Sequence, residues 1–349
     1  DQLPSLAIGA IALAPSNEDI VYVGTGEGHL SGDSYFGNGV LKSTDGGATF
    51  THVSGDQFKN VSISRMVVSP TDSNVVYLTT LRGRGGVRRT TNPDTTTYGV
   101  WKSTDGGVTW TLLVASDAQG LQLGGAGDLV MDPLDGNTLW VGFVGQGISK
   151  TVDGGATWTT AMNGLPSDAD YSAMPTRFAL GVSHPSTATQ AVLYSGFEYV
   201  SGSNYEPSAI WKSVDAGANW TAAGTGVVEG YCGDAPSATQ CFYDNEIGVD
   251  PTNPDIVYAL GLFDYDNGRG GIYRSMDGGA TWSDLGWNQH PDFHAIAIRK
   301  RILENYPAEL AVQLLTNGEP LKNTGVDITG IRKRTRVKTT SSGNLYVSL

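Results

Sequence analysis

The fold class this sequence predicts is all-β: a propeller of four-stranded blades, followed by a small C-terminal β segment. Three observations predict it. The segment Ser-Thr-Asp-Gly-Gly-Ala-Thr-Phe at 43–50 returns as STDGGVTW (103–110), TVDGGATW (151–158), SVDAGANW (213–220) and SMDGGATW (275–282), with its aspartates 60, 48, 62 and 62 positions apart. Self-similarity at that period, in a strand-rich chain, is the signature of propeller blades or a related array. A second phrase, an apolar strand, a Pro/Asp/Asn turn and another apolar strand, precedes each copy: IALAPSNEDIVYVG (11–24), MVVSPTDSNVVYLT (66–79), LVMDPLDGNTLWVG (129–142), LGVSHPSTATQAVLYSG (180–196) and IGVDPTNPDIVYALG (247–261). The composition agrees, since 47 glycines and only 16% charged residues suit a turn-dense β protein.

Each unit therefore reads as strand A, short turn, strand B, variable loop, strand C, tight turn, strand D. In A and B, Val, Ile and Tyr alternate with small or polar residues, as in a half-buried strand. The Asp-Gly-Gly core reads as the C–D hairpin turn. Its glycines take positive φ at little steric cost, and the carboxylate of Asp45, Asp105, Asp153, Asp215 or Asp277 bonds nearby backbone N–H groups. The closing aromatic (Phe50, Trp110, Trp158, Trp220, Trp282) is placed to bury against a neighbouring sheet, worth about 1.5–3 kcal/mol. Five equivalent carboxylates spread around a ring do not converge on one substrate, so their role reads as structural.

Five units are complete, at about 7–54, 62–115, 126–162, 176–223 and 245–287. A sixth begins at Phe293-His294-Ala295-Ile296-Ala297-Ile298, and the expected turn and second strand do not follow. Either the ring closes with five blades, or blades are missing at the 298/299 junction; the well-formed sixth strand A favours the second. Residues 1–298 are thus assigned to the propeller and 299–349 to a basic linker and partial β module. The start at Asp1 reads as a processed or trimmed end.

The eight-residue motif resembles the Asp-box, or BNR, repeat of sialidases, family 74 xyloglucanases, sortilin-type receptors and photosystem II assembly factors. That resemblance implies a fold-stabilising turn away from any active site, and it specifies fold without specifying activity. From about Leu310, LAVQLLTNGEPLKNTGVDITG and TRVKTTSSGNLYVSL are similar to carboxypeptidase-regulatory-like β-sandwich domains. The sequence departs from sialidases, lacking their early Phe/Tyr-Arg-Ile-Pro motif and converging arginines, since Arg82, Arg84, Arg88 and Arg89 crowd one loop. It departs from family 74 as well: GTGEGHLSGDS stands where an Asp-Val-Gly-Gly-type segment is expected.

The formal charge of −13 is uneven, with −18 on residues 1–298 and +5 on 299–349. An acidic propeller is a poor binder of nucleic acid or anionic membrane, and no apolar run is long enough to span a bilayer. It suits neutral glycans, cations or basic partners. The opposite charge of the tail makes self-association through it electrostatically favourable. Cys232 and Cys241 lie nine positions apart with no Cys or His nearby to complete a metal set, which favours a local disulfide and a secreted or cell-surface setting.

In such a blade the A–B and C–D turns share one end and the B–C and D–A loops the other. The second set is long and irregular (25–38, 80–98, 198–208, 263–270; 160–176, 222–244), and variable loops on a rigid scaffold are where function collects. Tyr35, Tyr98, Tyr205, Tyr231, Tyr265 and Trp287 are the candidate ligand contacts, with His290 and His294 at the channel end. Aromatic rings interleaved with carboxylates suit stacking on sugars; the competing reading packs these rings onto the blades. His290, Asp292 and His294 alternate as a metal set would, although Pro291 disturbs the strand, and no metal site is assigned. No cofactor is called for; calcium is left open by Asp264, Asp266 and Asn267, which resemble part of a calcium loop without the later bidentate Glu. A glycosidase needs two carboxylates about 5–10 Å apart, and Glu27, Asp33, Asp168, Asp170, Glu198, Asp244 and Glu246 are the pool. Three readings follow. The first is a carbohydrate-binding or adhesion module, with a surface protein as the other partner class. The second is a glycoside hydrolase related to the xyloglucanases, and the third a self-assembling surface or filament subunit.

Overall fold

The computed structural model describes residues 5, 7–30, 34–82, 98–115, 125–172, 176–224, 228–232, 240–264, 269–286, 295–298, 312–314, 336–339 and 345–348. Five antiparallel sheets, their strands bonded in chain order apart from one extra strand in the fourth, form five propeller blades, and no helix occurs among the described residues. Blade one is β1 (Ile8–Ala14), β2 (Asn17–Thr25), β3 (Val40–Ser43) and β4 (Thr51–His52). Blade two is β5 (Val61–Val68), β6 (Val76–Arg82), β7 (Gly99–Ser103) and β8 (Thr111–Ala115). Blade three is β9 (Ala126–Asp132), β10 (Asp135–Phe143), β11 (Gly147–Thr151) and β12 (Thr159–Thr160). Blade four adds a strand: β13 (Ala169–Asp170) pairs with β15 (Val192–Ser201) beyond β14 (Ala179–Ser183), and β16 (Asn204–Ser213) and β17 (Thr221–Ala222) complete it. Blade five is β18 (Glu246–Asp250), β19 (Asn253–Asp264), β20 (Arg269–Ser275) and β21 (Ser283–Asp284).

Two expected loops are shorter than the sequence suggests. Residues 198–208 continue β15 and β16 to a tight hairpin in which Ser201 faces Asn204, and Gly202 takes φ 62°. Likewise β19 runs to Asp264 and β20 resumes at Arg269. The sixth strand A does form: β22 (Ile296–Ile298) lays Ile296 and Ile298 against Ile256, Tyr258, Leu260 and Ile272 of blade five. A partner strand also arrives, far along the chain, as β23 (Val312–Leu314). A hairpin of β24 (Arg336–Thr339) and β25 (Leu345–Ser348) is the only other described structure in the C-terminal region.

At the turn end the same local network forms five times. In the first copy Asp45 Oδ1 accepts the Ser43 hydroxyl (2.7 Å) and the Thr49 N–H (2.8 Å), Oδ2 accepts the Thr49 hydroxyl, and Ser43 Oγ accepts the Gly47 N–H. Asp105, Asp153, Asp215 and Asp277 repeat it, with Asn219 donating through its side-chain amide in the fourth. These bonds hold the carboxyls of Asp45, Asp105, Asp153 and Asp277 down at about 2.

Blades lock to one another by an aromatic on strand B. Tyr22, Tyr77, Trp140 and Tyr194 are fully buried, each under a lysine ammonium (Lys42, Lys102, Lys150, Lys212) 5.0–5.4 Å from the ring centre. Each also donates to a carbonyl of the following blade: Ser73, Gly154, Ala216 and Pro254 respectively. The apolar cores lie at these blade-to-blade interfaces.

Candidate functional site

On or just before the first long strand of blades two to five lies one charge that joins a shared network, and the signs alternate. Arg65 comes from the middle of β5, at a bulge after Ile63. Asp128 follows the start of β9, Arg177 precedes β14, and Glu246 opens β18. Arg65 Nε lies 2.5 Å from Asp128 Oδ1 and its Nη2 2.5 Å from Glu246 Oε2, so one guanidinium joins blades two, three and five. Arg177 Nη1 approaches Glu246 Oε1 at 3.7 Å. Asp128 also accepts the backbone N–H groups of Leu129 and Leu180, both at 2.8 Å, which ties in blade four. Asp128, Arg177 and Glu246 are buried. Burial pushes the Glu246 carboxyl up, while the two guanidinium groups oppose that shift.

Behind this network a loop clamped by the Cys232–Cys241 disulfide seats Tyr231 between blades four and five. The Tyr231 hydroxyl donates to Asn245 Oδ1, and Asn245 Nδ2 donates to the Arg177 carbonyl (3.0 Å) and the Gly196 carbonyl (2.9 Å). Arg177 returns a bond to the Asn245 carbonyl. Glu198, next to a bulge in β15, is buried in this layer, and neither of its oxygens has a hydrogen-bond partner among the described residues. Desolvation pushes its carboxyl up to about 8, so it is largely a neutral acid at pH 7.

The sequence candidates scatter. Tyr35 stands 66% exposed on blade one, its backbone N–H reaching Glu27 Oε2 at 3.4 Å. Tyr98 is half-buried against the core between blades one and two. Tyr231 is fully buried, which corrects its placement on a ligand platform: the disulfide and the Asn245 bond hold the ring inside the interface. Tyr205 lies within β16, not in a loop. Tyr265, Trp287, His290, Asp292 and His294 lie outside the described residues, as do Asp266 and Asn267 of the calcium candidate; Asp264 ends β19. Among the carboxylates, Glu246 is ion-paired, Asp168 accepts the Ser201 hydroxyl (2.6 Å), Asp170 accepts the Ser172 N–H (2.9 Å), and Asp33 is outside the description. No cluster of three metal-ligating side chains occurs among the described residues. Sequence reasoning misses Arg65, Asp128 and Arg177, although each is a lone charge in an apolar strand context (SISRMVV, AGDLVM, TRFAL).

No family model matches the chain. It is 26% identical over 314 residues to a xyloglucanase of Hypocrea jecorina (strain QM6a), an alignment covering 81% of this chain and 33% of that enzyme. The chain therefore spans about a third of the length of the curated relative it matches. Among solved structures it is similar to an ancestral GH74 enzyme (TM-score 0.57, 18% identity, 85% of this chain and 37% of that one). It is also similar to the GH74 xyloglucanase of Xanthomonas campestris (TM-score 0.54, 19% identity, 80% and 38%) and the GH74 enzyme of Niastella koreensis (TM-score 0.50, 24% identity, 80% and 38%). At these identities the structural matches bear on the fold, a β-propeller.

Proposed function

We propose that this chain is a carbohydrate-binding propeller whose ligand is a xyloglucan-type β-glucan, held on the face made by the B–C and D–A loops. The observation that carries the reading is the sequence relationship to a xyloglucanase across 81% of the chain. The channel mouth fits binding better than catalysis. Asp128 and Glu246 are neutralised by Arg65 and Arg177, which leaves neither free as the base of a hydrolytic pair. On blade one, exposed Tyr35 offers an uncharged ring for a sugar face. The disulfide fits an oxidising, extracellular setting.

Glycoside hydrolysis is the second reading, and Glu198 favours it, because a carboxyl raised to about 8 is the protonation state a general acid needs. Its burial in the Tyr231 layer argues that it holds that proton for the interface instead. Calorimetric titration with xyloglucan oligosaccharides, followed by a reducing-end assay on the same mixtures, tests the proposal. Saturable binding without new reducing ends is expected, weakened in Tyr35→Ala. Hydrolysis abolished by Glu198→Gln would replace binding by catalysis, and no heat with any glucan would remove both.

A further inference from the structure

The five blades follow one plan, and blade four departs from it. Its strand C, β16, has ten residues where those of blades one, two and three have four, five and five. Strand β15 also changes neighbour along its length. It pairs with β14 as far as Gly196, and beyond the bulge between Phe197 and Tyr199 it pairs with β13, Asp170 facing Val200 and Ala169 facing Ser201. A three-stranded extension of β13, β15 and β16 thus continues past the body of the blade, and its tip, Gly202, Ser203 and Asn204, is exposed.

Tyr199 lies on this extension, partly buried, with its ring centre 6.2 Å from those of both Phe197 and Tyr171. Behind it Phe178 and Phe197 are fully buried 4.8 Å apart, and Tyr171 is fixed by its hydroxyl on the Pro166 carbonyl (3.1 Å). Other rings therefore hold the Tyr199 ring in place. Glu206 is its cross-strand partner, and exposed Asp168 accepts the Ser201 hydroxyl at 2.6 Å. Burial, with the charges of Glu206 and Asp168, pushes the Tyr199 phenol up, so the ring is neutral at pH 7. Residues 163–176 and 191–211 contain no lysine, arginine or histidine, and no ion pair among the described residues includes Asp168 or Glu206.

Resting on the carbohydrate reading above, we propose that this extension is a sugar subsite that selects uncharged glycans over anionic ones: Tyr199 stacks on one pyranose ring, and Glu206 and Asp168 accept hydroxyls at its edge. A neutral aromatic face supplies stacking area, and one already packed loses little freedom on binding. An ionised carboxylate has about four acceptor positions, so the Ser201 bond leaves Asp168 capacity for sugar hydroxyls. Such bonds are of the stronger, charge-assisted kind. With no cation in either segment to neutralise them, the same two carboxylates repel a uronic acid brought against Tyr199, as like charges exclude wrong partners.

The test is calorimetric titration of the full chain with xyloglucan oligosaccharides and, separately, with oligogalacturonides. The wild type is expected to bind the first and not the second. Tyr199→Ala should weaken xyloglucan binding about tenfold, and Tyr199→Phe, which keeps the ring, should recover most of that loss. Glu206→Gln should weaken it by a smaller factor and narrow the gap between the two ligands. Near-UV circular dichroism certifies the fold of each variant, and Glu206→Gln keeps the test decisive if Tyr199→Ala disturbs the rings behind it. Xyloglucan binding that is weakened by Tyr35→Ala but unmoved by Tyr199→Ala and Glu206→Gln would overturn the subsite and leave the carbohydrate reading standing. No heat with any glucan would overturn both. Equal affinity of the wild type for oligogalacturonides would overturn the selectivity. Oligolysine bound in place of glucan, and lost in Glu206→Gln, would overturn the sugar assignment in favour of a basic partner.

Discussion

The two ends of the same strands are built on opposite principles. At the turn end, five carboxylates each accept bonds from residues two and four positions away, and the network repeats almost atom for atom. At the loop end, the charges meet partners 63 and 181 positions away, and the buried Thr176 hydroxyl, Arg177 Nε and both Glu198 oxygens have no hydrogen-bond partner among the described residues. The turn end is a scaffold assembled from local parts. The mouth is a single long-range assembly whose unmet polar groups cost stability, as functional regions commonly do.

The hardest way to break the contrast is Arg65→Ala. It leaves Asp128 buried without an ion-pair partner and Glu246 with only Arg177 at 3.7 Å, and removal of one partner from such a network costs about 3–5 kcal/mol. Urea unfolding should register that loss; a change below about 1 kcal/mol would mean that the mouth is solvated and not structural.

Glu198 gives the next largest effect, and its sign is opposite to that of the turns. Its folded pKa is raised to about 8 from an ordinary 4.5, so the folded state keeps a proton that the unfolded chain releases. Stability is full below pH 4.5 and declines as pH rises through 8. In Glu198→Gln that decline should vanish from a plot of Tm against pH. An identical slope in wild type and variant would refute the assignment.

The turn carboxylates behave inversely. Asp45, Asp105, Asp153 and Asp277 sit near 2, below the usual 3.8, so their contribution is present above 3.8 and lost as pH falls through about 2. Carboxyl chemical shifts followed by NMR should show four midpoints well below 3.8, and midpoints near the ordinary value would mean the turns are open in solution.

The smallest effect lies in the one irregular turn. Ala216 holds φ 58°, where the other copies have glycine. The left-handed region costs a β-carbon about 1–2 kcal/mol, partly offset by the greater chain entropy of glycine, so Ala216→Gly should stabilise by about 0.5–1 kcal/mol. A destabilised variant would show that the methyl packs usefully against its neighbours.

The contrast also explains what is legible in the sequence. Asp45 and its four equivalents are readable because every partner lies within four residues, and strands A and B because burial imposes an alternating pattern. Arg65, Asp128 and Arg177 are silent because a lone charge in a strand says nothing of the blade that answers it. Tyr231 reads as a loop aromatic because a cysteine-rich, glycine-bearing stretch gives no hint that its clamp drives the ring inward. The β15–β16 hairpin is hidden by Ser201-Gly202-Ser203-Asn204, whose composition marks a turn without telling how short it is.

The strand-B aromatics bear on how the chain is made. Tyr22, Tyr77, Trp140 and Tyr194 each donate forward, to acceptors 51, 77, 76 and 60 residues later. During synthesis a blade that has left the ribosome still lacks its acceptor until most of its successor has emerged. Folding therefore trails translation by one repeat, and each newly released blade waits with a polar hydrogen uncovered until the next arrives to close over it.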